Sequence, residues 1–489
     1  MTPALVKLPT GVPGLDNLLL GGLPRGRATL VAGRSGTGKS VISLQMAASL
    51  ARQGLPTILL AVEESPADLV ETGDALGLDL TGLTRDGRLI ISDVNRPSDG
   101  PVVSAGDYDV FGLVHRIENL VATHAAKALV LDSATALFSP RPSDERMRQH
   151  FFHLISAFRR LDLTSIVIAE AREDYGPLTT LGVEDFLCDL TIVLRNIMDG
   201  GRRRRSIEIN KYRRSAHFKG EYPCTITTKG LAVFPVDAKE YPAEWIDMER
   251  YSSGIHGLDE MTGGGWLRNS IVIVRGPTGA GKTILAGVYA LAGASRGERV
   301  VYYGFEETRA TLLRNYRELG LDMKPHIESG DLRVICRYPE ATSLEDLLVD
   351  LRIDLEEFKP SLIVLDSISS IEHASSERGF RQFMIGVASI LRQHGRSALI
   401  TQTVLAGTSS QHAAPYLSTI ADAILALDYK PSAYDLDRTM RVIKSRGSAH
   451  AANPYRLDID GAGIHVTRMS APDDTQRPSR AADRKVKPS

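Results

Sequence analysis

An eight-residue pattern that occurs twice constrains this chain more than any other feature. The first copy runs from Gly33 to Ser40 and the second from Gly276 to Thr283. Each copy follows an apolar run typical of a buried strand and precedes a helix-like stretch. In that context a glycine loop lets main-chain N–H groups surround a phosphate, and the helix N-terminus adds partial positive charge. The sequence therefore predicts two phosphate-binding loops.

The loop residues predict the ligands of both sites. The lysine of each loop can reach the terminal phosphates of a nucleotide, and the hydroxyls of Ser40 and Thr283 can hold Mg²⁺. ATP and Mg²⁺ are therefore the expected cofactors. The candidate nucleotide-binding residues are Gly33, Ser35, Gly36, Thr37, Gly38, Lys39 and Ser40 in the first loop and Gly276, Thr278, Gly279, Ala280, Gly281, Lys282 and Thr283 in the second.

Other features repeat at the same distance along the chain, which indicates a duplicated domain. A chain of 489 residues is long enough for two domains that each bury a core. The separation of 243 positions joins Lys39 to Lys282, Gly14-Leu15-Asp16 to Gly257-Leu258-Asp259, and Glu63-Glu64 to Glu306-Glu307.

The paired glutamates are the candidate catalytic residues. Glu63 and Glu64 follow an apolar strand, and Glu306 and Glu307 follow its counterpart in the second copy. Ligands bind at the carboxyl ends of parallel strands, so both pairs are expected beside the nucleotide. One glutamate of each pair could deprotonate an attacking water, and Glu306 is also a candidate Mg²⁺ ligand. A solvated acidic turn is the alternative, and recurrence of the pair favours the catalytic interpretation.

Two further apolar strands end in an acid, at Asp132 and Asp366. After a phosphate loop this pattern is typical of a Walker B motif, whose aspartate supports the hydrated Mg²⁺ of the nucleotide. Strands alternating with helical stretches predict an α/β fold with two tandem domains. Each should be a mostly parallel sheet flanked by helices.

Basic residues recur with identical internal spacing in both copies. Alternating basic residues on one strand face could supply charge to a phosphate on another subunit, and an ordinary surface strand is the alternative. The run Arg202–Arg205 follows Gly200-Gly201 and is interpreted as a solvated hairpin tip, with a phosphate-backbone contact as the alternative. The recurring residues are Lys211, Arg213 and His217 in the first copy and Lys444, Arg446 and His450 in the second.

A hydroxyl pair, Ser418-Thr419, distinguishes the second copy from the first. It precedes an apolar strand, and the comparable stretch Leu181–Asp185 of the first copy has no such pair. Turn or cap chemistry is the plain explanation, because serine and threonine often serve in that way.

Composition excludes several classes of protein. Apolar content of 43% and charged content of 24% are ordinary for globular proteins, and a net charge of −1 gives no global attraction to nucleic acid. The three cysteines are isolated, and we expect reduced thiols in a cytoplasmic protein without a signal sequence or membrane span. The expected domains are residues 1–234 and 248–468, joined by a proline-punctuated linker at 235–247 and followed by a disordered tail at 469–489.

Across nearly the whole chain these residues resemble the KaiC family of bacterial clock ATPases and autokinases. Besides the loops and glutamate pairs, the resemblance rests on Phe380–Phe383, Lys219–Pro223 and Lys444–Ser448. It implies two stacked RecA-like P-loop NTPase domains, CI and CII, assembled as a homohexamer with ATP between neighbouring subunits. It also implies that the recurring lysines and arginines approach ATP from the adjacent subunit, and that Ser418 and Thr419 are autophosphorylation sites.

The chain departs from the family pattern at Arg214, which replaces a glycine, at Ala449, which replaces a tryptophan, and at Ala413, where some members carry a hydroxyl. Its tail does not resemble the segment through which cyanobacterial members bind KaiA, so a KaiA-dependent oscillator is not expected. The resemblance allows a KaiB-like protein on the N-terminal domain and an output kinase or response regulator as partners.

The predicted function is an ATPase and serine/threonine autokinase in circadian, timing or stress signalling. A RecA-type recombinase or helicase shares the fold, since fold does not fix function. An ATP-gated scaffold without kinase activity is a further alternative. The near-neutral charge, the absence of an added DNA-binding module and the hydroxyl pair argue against a DNA motor, so nucleic acid and membrane are not expected partners.

Overall fold

The computed structural model describes residues 5–94, 110–137, 144–176, 187–235, 249–404, 415–431, 436–447, 450–451, 453–461 and 463–469. The chain folds into two compact units. The first comprises Met1–Tyr241, Pro339–Glu357 and Ile371–Gln393, and the second comprises the remaining segments. Because two segments from the second half of the sequence group with the first unit, the domain limits at 234 and 248 stay predictions. Most of the predicted linker and nearly all of the predicted tail lie outside the described residues.

The first unit contains a nine-stranded sheet in the order β11-β10-β9-β8-β3-β7-β6-β4-β5, and β1 pairs with β2 beside it. Strands β3 to β8 of the sheet pair in parallel, and β9, β10 and β11 extend it antiparallel. The strands are β1 (Lys7–Leu8), β2 (Leu23–Pro24), β3 (Ala28–Gly33), β4 (Thr57–Ala61), β5 (Leu89–Asp93), β6 (Ala128–Asp132), β7 (Thr164–Glu170), β8 (Leu190–Asp199), β9 (Arg202–Tyr212), β10 (Glu221–Thr227) and β11 (Gly230–Val233).

The second unit repeats this arrangement, with the order β16-β15-β17-β18-β14-β19-β20-β21-β22 and a small β12–β13 pair. Again the strands up to β19 are parallel and the last three are antiparallel. The strands are β12 (Arg250–Tyr251), β13 (Trp266–Leu267), β14 (Ile271–Gly276), β15 (Val300–Gly304), β16 (Leu332–Cys336), β17 (Leu362–Asp366), β18 (Ser397–Thr403), β19 (Ala423–Pro431), β20 (Leu436–Ser445), β21 (Tyr455–Asp460) and β22 (Gly463–Arg468).

Helices flank both sheets, as expected for strands that are apolar on both faces. No helix in the described part of the chain is long and apolar enough to cross a membrane. The helices are α1 (Leu15–Leu18), α2 (Lys39–Arg52), α3 (Pro66–Ala75), α4 (Leu80–Arg85), α5 (Val110–His124), α6 (Ala134–Leu137), α7 (Asp144–Arg160), α8 (His256–Met261), α9 (Lys282–Ser295), α10 (Arg309–Glu318), α11 (Lys324–Ser329), α12 (Leu344–Glu357), α13 (Ile368–His373), α14 (Glu377–Gln393) and α15 (Pro415–Ile420), with a 3₁₀ turn at Pro339–Ala341.

The two sheets confirm the predicted fold class, a mostly parallel sheet flanked by helices in each of two tandem RecA-like units. In the first unit, apolar residues of β3, β4, β6 and β7 pack on both faces of the sheet and form two clusters. In the second unit, a cluster that is richer in aromatic residues packs around β14, β15 and β17. Because both faces of the central strands are buried, the carboxyl ends of these strands, which carry the phosphate loops and the acidic residues, are held in place.

The arginine run is not a solvated hairpin tip. The turn is the two residues Gly200 and Gly201, both with positive φ, which suits a tight hairpin, and the arginines belong to β9. Arg204 is half-buried within the first unit, where its Nη2 lies 2.8 Å from Glu345 Oε1 and its Nη1 lies 2.9 Å from Asp199 Oδ2. Arg203, its neighbour, is exposed as predicted.

Candidate functional site

Each phosphate loop lies where the sequence predicts, between a central strand and the helix that follows. In the first loop Gly36 and Gly38 have φ values of 76° and 102°, which a side chain would disfavour. A Cβ on Gly33 would lie 2.7 Å from the carbonyl oxygen of Leu194, so the loop also needs glycine for close packing. The main chain can thus curl around a phosphate at the start of α2.

The first loop opens on a cleft of about 540 Å³. Inside it Lys39 Nζ donates a hydrogen bond of 2.8 Å to the carbonyl oxygen of Arg34. Burial lowers the pKa of Lys39, against the opposing charges of nearby acids. The polar side chains that line the cleft include Lys39, Ser40, Glu63, Glu64, Asp132 and Glu170. The structure therefore brings the predicted loop, glutamate pair and Walker B residue of the first copy together.

Glu170, the last residue of β7, is a member of this cleft that sequence reasoning missed. The sequence pattern that indicates Glu63 and Asp132, an acid at the end of an apolar strand, also applies to Glu170. Strand register places Glu170 opposite Gly33 and places Thr403 opposite Gly276. The second site therefore has a hydroxyl where the first has a carboxylate.

Asp132 ends β6 and is anchored by one hydroxyl of the loop helix. Ser43 Oγ donates to Asp132 Oδ2 at 2.9 Å. Burial raises the pKa of Asp132, the hydrogen bond from Ser43 opposes this, and the charges of Glu64 and Glu63 add to the increase. A carboxylate held in this way among other acids is suited to a divalent cation.

The second loop repeats the geometry with more burial. Gly279 and Gly281 have φ values of 78° and 102°, and Lys282 Nζ donates 2.9 Å to the carbonyl oxygen of Pro277. Burial lowers the pKa of Lys282, opposed by the charges of Asp366 and Glu306. Thr283, the next residue, has its hydroxyl 3.4 Å from Asp366 Oδ1.

The glutamates of the second copy have distinct partners. Ser367 Oγ donates to Glu306 Oε1 at 2.8 Å, and Asn315 Nδ2 donates to Glu307 Oε2 at 3.0 Å. Burial raises the pKa of Glu307, and the negative charges of Asp366 and Glu306 raise it further. A raised pKa makes an ionised Glu307 the stronger proton acceptor, as a general base requires.

The hydroxyl pair and the basic residues of the second copy lie at the opposite edge of their sheet. Lys444 Nζ donates to the carbonyl oxygens of Ser418 and Ala421, and Arg446 Nη2 donates to that of Thr419 at 2.9 Å. We call Ser418, Thr419, Lys444 and Arg446 the amino-edge cluster. The helix that carries the hydroxyl pair, α15, precedes β19, so the cluster lies at the amino ends of the parallel strands.

The strand registers separate this cluster from the loop of its own unit. The main-chain N–H of Arg446 donates to Asp422, whose carboxylate accepts from the N–H of Ile271, the first residue of β14. The loop starts at Gly276, five residues along that strand, which is about 16 Å at 3.3 Å per residue. The amino-edge cluster therefore cannot act on a nucleotide in its own loop.

The first copy has the same arrangement. The N–H of Arg213 donates to Asp189, which in turn donates to Ala28 at the start of β3. Lys211 lies beside it near the end of β9, and both are far from Gly33. His217 is half-buried and His450 is exposed, and neither lies in the cleft of the first loop.

One departure from the family pattern has a visible cost. Arg214 adopts a φ of 64°, the left-handed region, and its counterpart Gly447 has a φ of 66°. A non-glycine residue in that region is strained by about 1 kcal/mol. Ala413, Ser448 and Ala449 lie outside the described residues.

The residues around each loop fit Mg²⁺. Nucleotide sites bind this cation through hydroxyl and carboxylate oxygens together with phosphates. Thr283, Asp366 and Glu306 in the second copy, and Ser40 and Asp132 in the first, supply such oxygens. In the part of the chain that the structure describes, no group of three or more His, Cys, Asp or Glu is arranged to hold a metal by itself.

Comparison with known proteins agrees with this geometry. A family model described as "ATPase: KaiC" matches residues 8–238 and again residues 251–471. The circadian clock protein KaiC3 of Synechocystis sp. is 38% identical over 470 residues, which cover 95% of this chain and 92% of that protein. The circadian clock oscillator protein KaiC of Picosynechococcus sp. is 38% identical over 463 residues, 94% of this chain and 89% of that protein. With both repeats matched along nearly their whole length, the chain belongs to the KaiC family of ATPases.

Proposed function

We propose that the chain is a Mg²⁺-dependent ATPase in which the second copy also transfers phosphate to Ser418 or Thr419. The observation that carries this proposal is the amino-edge cluster. There a lysine and an arginine bind the backbone of two adjacent hydroxyl residues, far from the loop of the same unit. Such a cluster is complete only when another subunit brings its own phosphate loop to it, as in a ring with nucleotide between neighbours. We therefore propose a homohexamer.

The chemistry follows from the residues of the neighbouring loop. Lys282 and the arginine of the amino-edge cluster neutralise the phosphates, and Mg²⁺ held by Thr283, Asp366 and Glu306 would add charge stabilisation there. The carboxylate of Glu307 takes the proton of the attacking hydroxyl. The hydroxyl oxygen bonds to the γ-phosphorus, the bond to the bridging oxygen of the β-phosphate breaks, and ADP leaves.

In the first copy the equivalent residues act on water instead of a side-chain hydroxyl. Glu63 or Glu64 would orient and deprotonate a water that attacks the γ-phosphorus, with Lys39, Asp132 and the cation balancing charge. At the positions that match Ser418 and Thr419 the first copy has Asp185 and Phe186, so hydrolysis is its proposed outcome. Glu63 and Glu64 both line the cleft, which is consistent with either as the base.

A timing or stress-signalling role is the biological proposal, because the relatives are named as circadian clock proteins. A KaiB-like protein on the first copy and an output kinase or response regulator are the proposed partners. A DNA motor is not favoured, since Arg204 of the basic run is paired with acids inside the first unit.

The test is to incubate the purified chain with γ-labelled ATP and Mg²⁺, and to map phosphate by mass spectrometry. We expect label on Ser418, Thr419 or both, and none in a Ser418→Ala/Thr419→Ala variant that still hydrolyses ATP. Light scattering should find a hexamer-sized particle with nucleotide. A wild-type hexamer that hydrolyses ATP and never labels this pair would leave only the ATPase.

A further inference from the structure

A buried pair of tyrosines contacts the Walker B aspartate of the second unit. Tyr302 Oη donates to Asp366 Oδ2 at 2.6 Å, and the hydroxyl of Tyr316 lies 2.9 Å from that of Tyr302. Tyr316 Oη lies 2.7 Å from the main-chain oxygen of Thr283, and its single proton is available to that oxygen or to the hydroxyl of Tyr302. The pair therefore links the Walker B residue to the loop residue that the nucleotide site needs for its cation.

Other buried side chains also hold the Asp366 carboxylate in one orientation. Thr401 Oγ1 donates to Asp366 Oδ1, so each carboxylate oxygen accepts from a buried hydroxyl. The two tyrosine rings meet edge to face with centroids 6.0 Å apart. A Cβ on Gly287 of α9 would clash with the ring of Tyr316, so this glycine makes the room that Tyr316 occupies.

In the first copy, a hydroxyl from a different element donates to the Walker B aspartate. At the matching positions it has Leu59 for Tyr302 and Gly73 for Tyr316, whereas Ser43 of its loop helix supplies the hydroxyl. The second copy has Ala286 where the first has Ser43. Each aspartate thus receives a hydroxyl at Oδ2, from the loop helix in one copy and from the neighbouring strand in the other.

We propose that Tyr302, held by Tyr316, is a positioning residue of the second nucleotide site. It fixes the Asp366 carboxylate for the Mg²⁺ that accompanies the nucleotide, the part that Ser43 plays in the first site. This inference rests on the proposed nucleotide function and deepens it. A neutral hydroxyl that donates to a carboxylate orients it and so contributes to the affinity of the carboxylate for a metal ion. Removing the hydroxyl should therefore weaken the Mg²⁺-dependent part of nucleotide binding.

The experiment measures ADP affinity with Mg²⁺ and with chelator instead of Mg²⁺, in the full chain with the first site disabled by Lys39→Ala. In the otherwise unaltered second site, Mg²⁺ should strengthen ADP binding. Tyr302→Phe, which removes one oxygen and keeps the ring, should weaken binding with Mg²⁺ about tenfold and leave binding with chelator unchanged.

The chain offers a matched control. Tyr251 and Tyr289 are a second buried tyrosine pair of the same unit, with hydroxyls 2.6 Å apart, and Asp366 is not among their hydrogen-bond partners in the structure. Tyr289→Phe should leave both affinities as in the unsubstituted site. A rescue variant, Tyr302→Phe/Ala286→Ser, places a hydroxyl where the first copy has Ser43 and should recover most of the lost metal-dependent affinity.

Equal affinities with Mg²⁺ in the Tyr302→Phe chain and the unsubstituted chain would overturn the inference. So would equal losses with Mg²⁺ and with chelator, or a loss of the same size in Tyr289→Phe, because these indicate packing alone. Failure of the proposed function looks different, since the unsubstituted second site would then bind no nucleotide under either condition, which overturns the positioning role as well.

Discussion

Arg204 should be among the most costly single side chains to remove from the first unit. Its side chain is 13% exposed and that of Glu345 is 3% exposed, so Glu345 is buried and Arg204 is largely shielded from water. Three of its nitrogens lie within 3.0 Å of acid oxygens, Nε and Nη2 on Glu345 and Nη1 on Asp199. Arg204→Ala leaves the Glu345 charge buried without its main counter-charge, which costs about 3–5 kcal/mol.

Thermal unfolding of the full chain, followed by calorimetry, measures this cost. At roughly 2–4 °C per kcal/mol, the transition of the first unit should fall by at least about 6 °C in Arg204→Ala. The matched control is Arg203→Ala, one position earlier on the same strand and exposed, which should change the midpoint by little.

A double-mutant cycle separates the ion pair from lost packing. Because Glu345→Gln removes the stranded charge, Arg204→Ala should cost much less in that background, a coupling of about 2 kcal/mol or more. Similar losses in Arg203→Ala and Arg204→Ala, or additive effects with Glu345→Gln, would refute the reasoning.

Three further outcomes follow from the structure. Burial and neighbouring acids raise the pKa of Glu307, and a base must be ionised, so labelling should increase as pH rises through that pKa, with the dependence lost in Glu307→Gln. Arg214→Gly should relieve left-handed strain and stabilise the first unit by up to about 1 kcal/mol in thermal unfolding, whereas Gly447→Ala should destabilise the second by a similar amount. Burial favours the neutral form of Glu298, but hydrogen bonds from Arg268 and Arg296 outweigh it and hold its pKa below the ordinary value of a glutamate. Its carboxylate therefore stabilises the fold above the ordinary pKa of a glutamate. The difference in free energy of unfolding between wild type and Glu298→Gln should vanish as pH falls through the lowered pKa.

Much of the fold could be predicted because each of the duplicated motifs consists of residues that are adjacent in the sequence. Apolar strands that end in a glycine loop or an acid reveal the central strands and the sheet edge that presents Lys39 and Asp132. The hairpin that begins the antiparallel extension is also predictable, but its turn is only Gly200-Gly201, so the arginines lie on the strand and not at the tip.

The partners of individual side chains could not be predicted, because they depend on long-range packing. Glu345 is 141 positions from Arg204, and nothing local to the arginine run indicates an acid there. Tyr302 and Tyr316 look like ordinary core aromatics in the sequence. Only the three-dimensional register shows that Gly287 makes space for one of them and that Asp366 accepts from the other.

The most direct test of the account mixes two inactive chains. One carries Ser418→Ala/Thr419→Ala and lacks the acceptors, and the other carries Glu306→Gln/Glu307→Gln and lacks the proposed base of the second site. Each alone should incorporate no phosphate at positions 418 and 419. After the rings are dissociated without nucleotide and reassembled together with ATP, the chain with intact hydroxyls should become labelled, because its neighbour supplies the loop and the glutamates. Absence of label in the mixture, with strong labelling in wild-type rings treated in the same way, would contradict transfer between subunits.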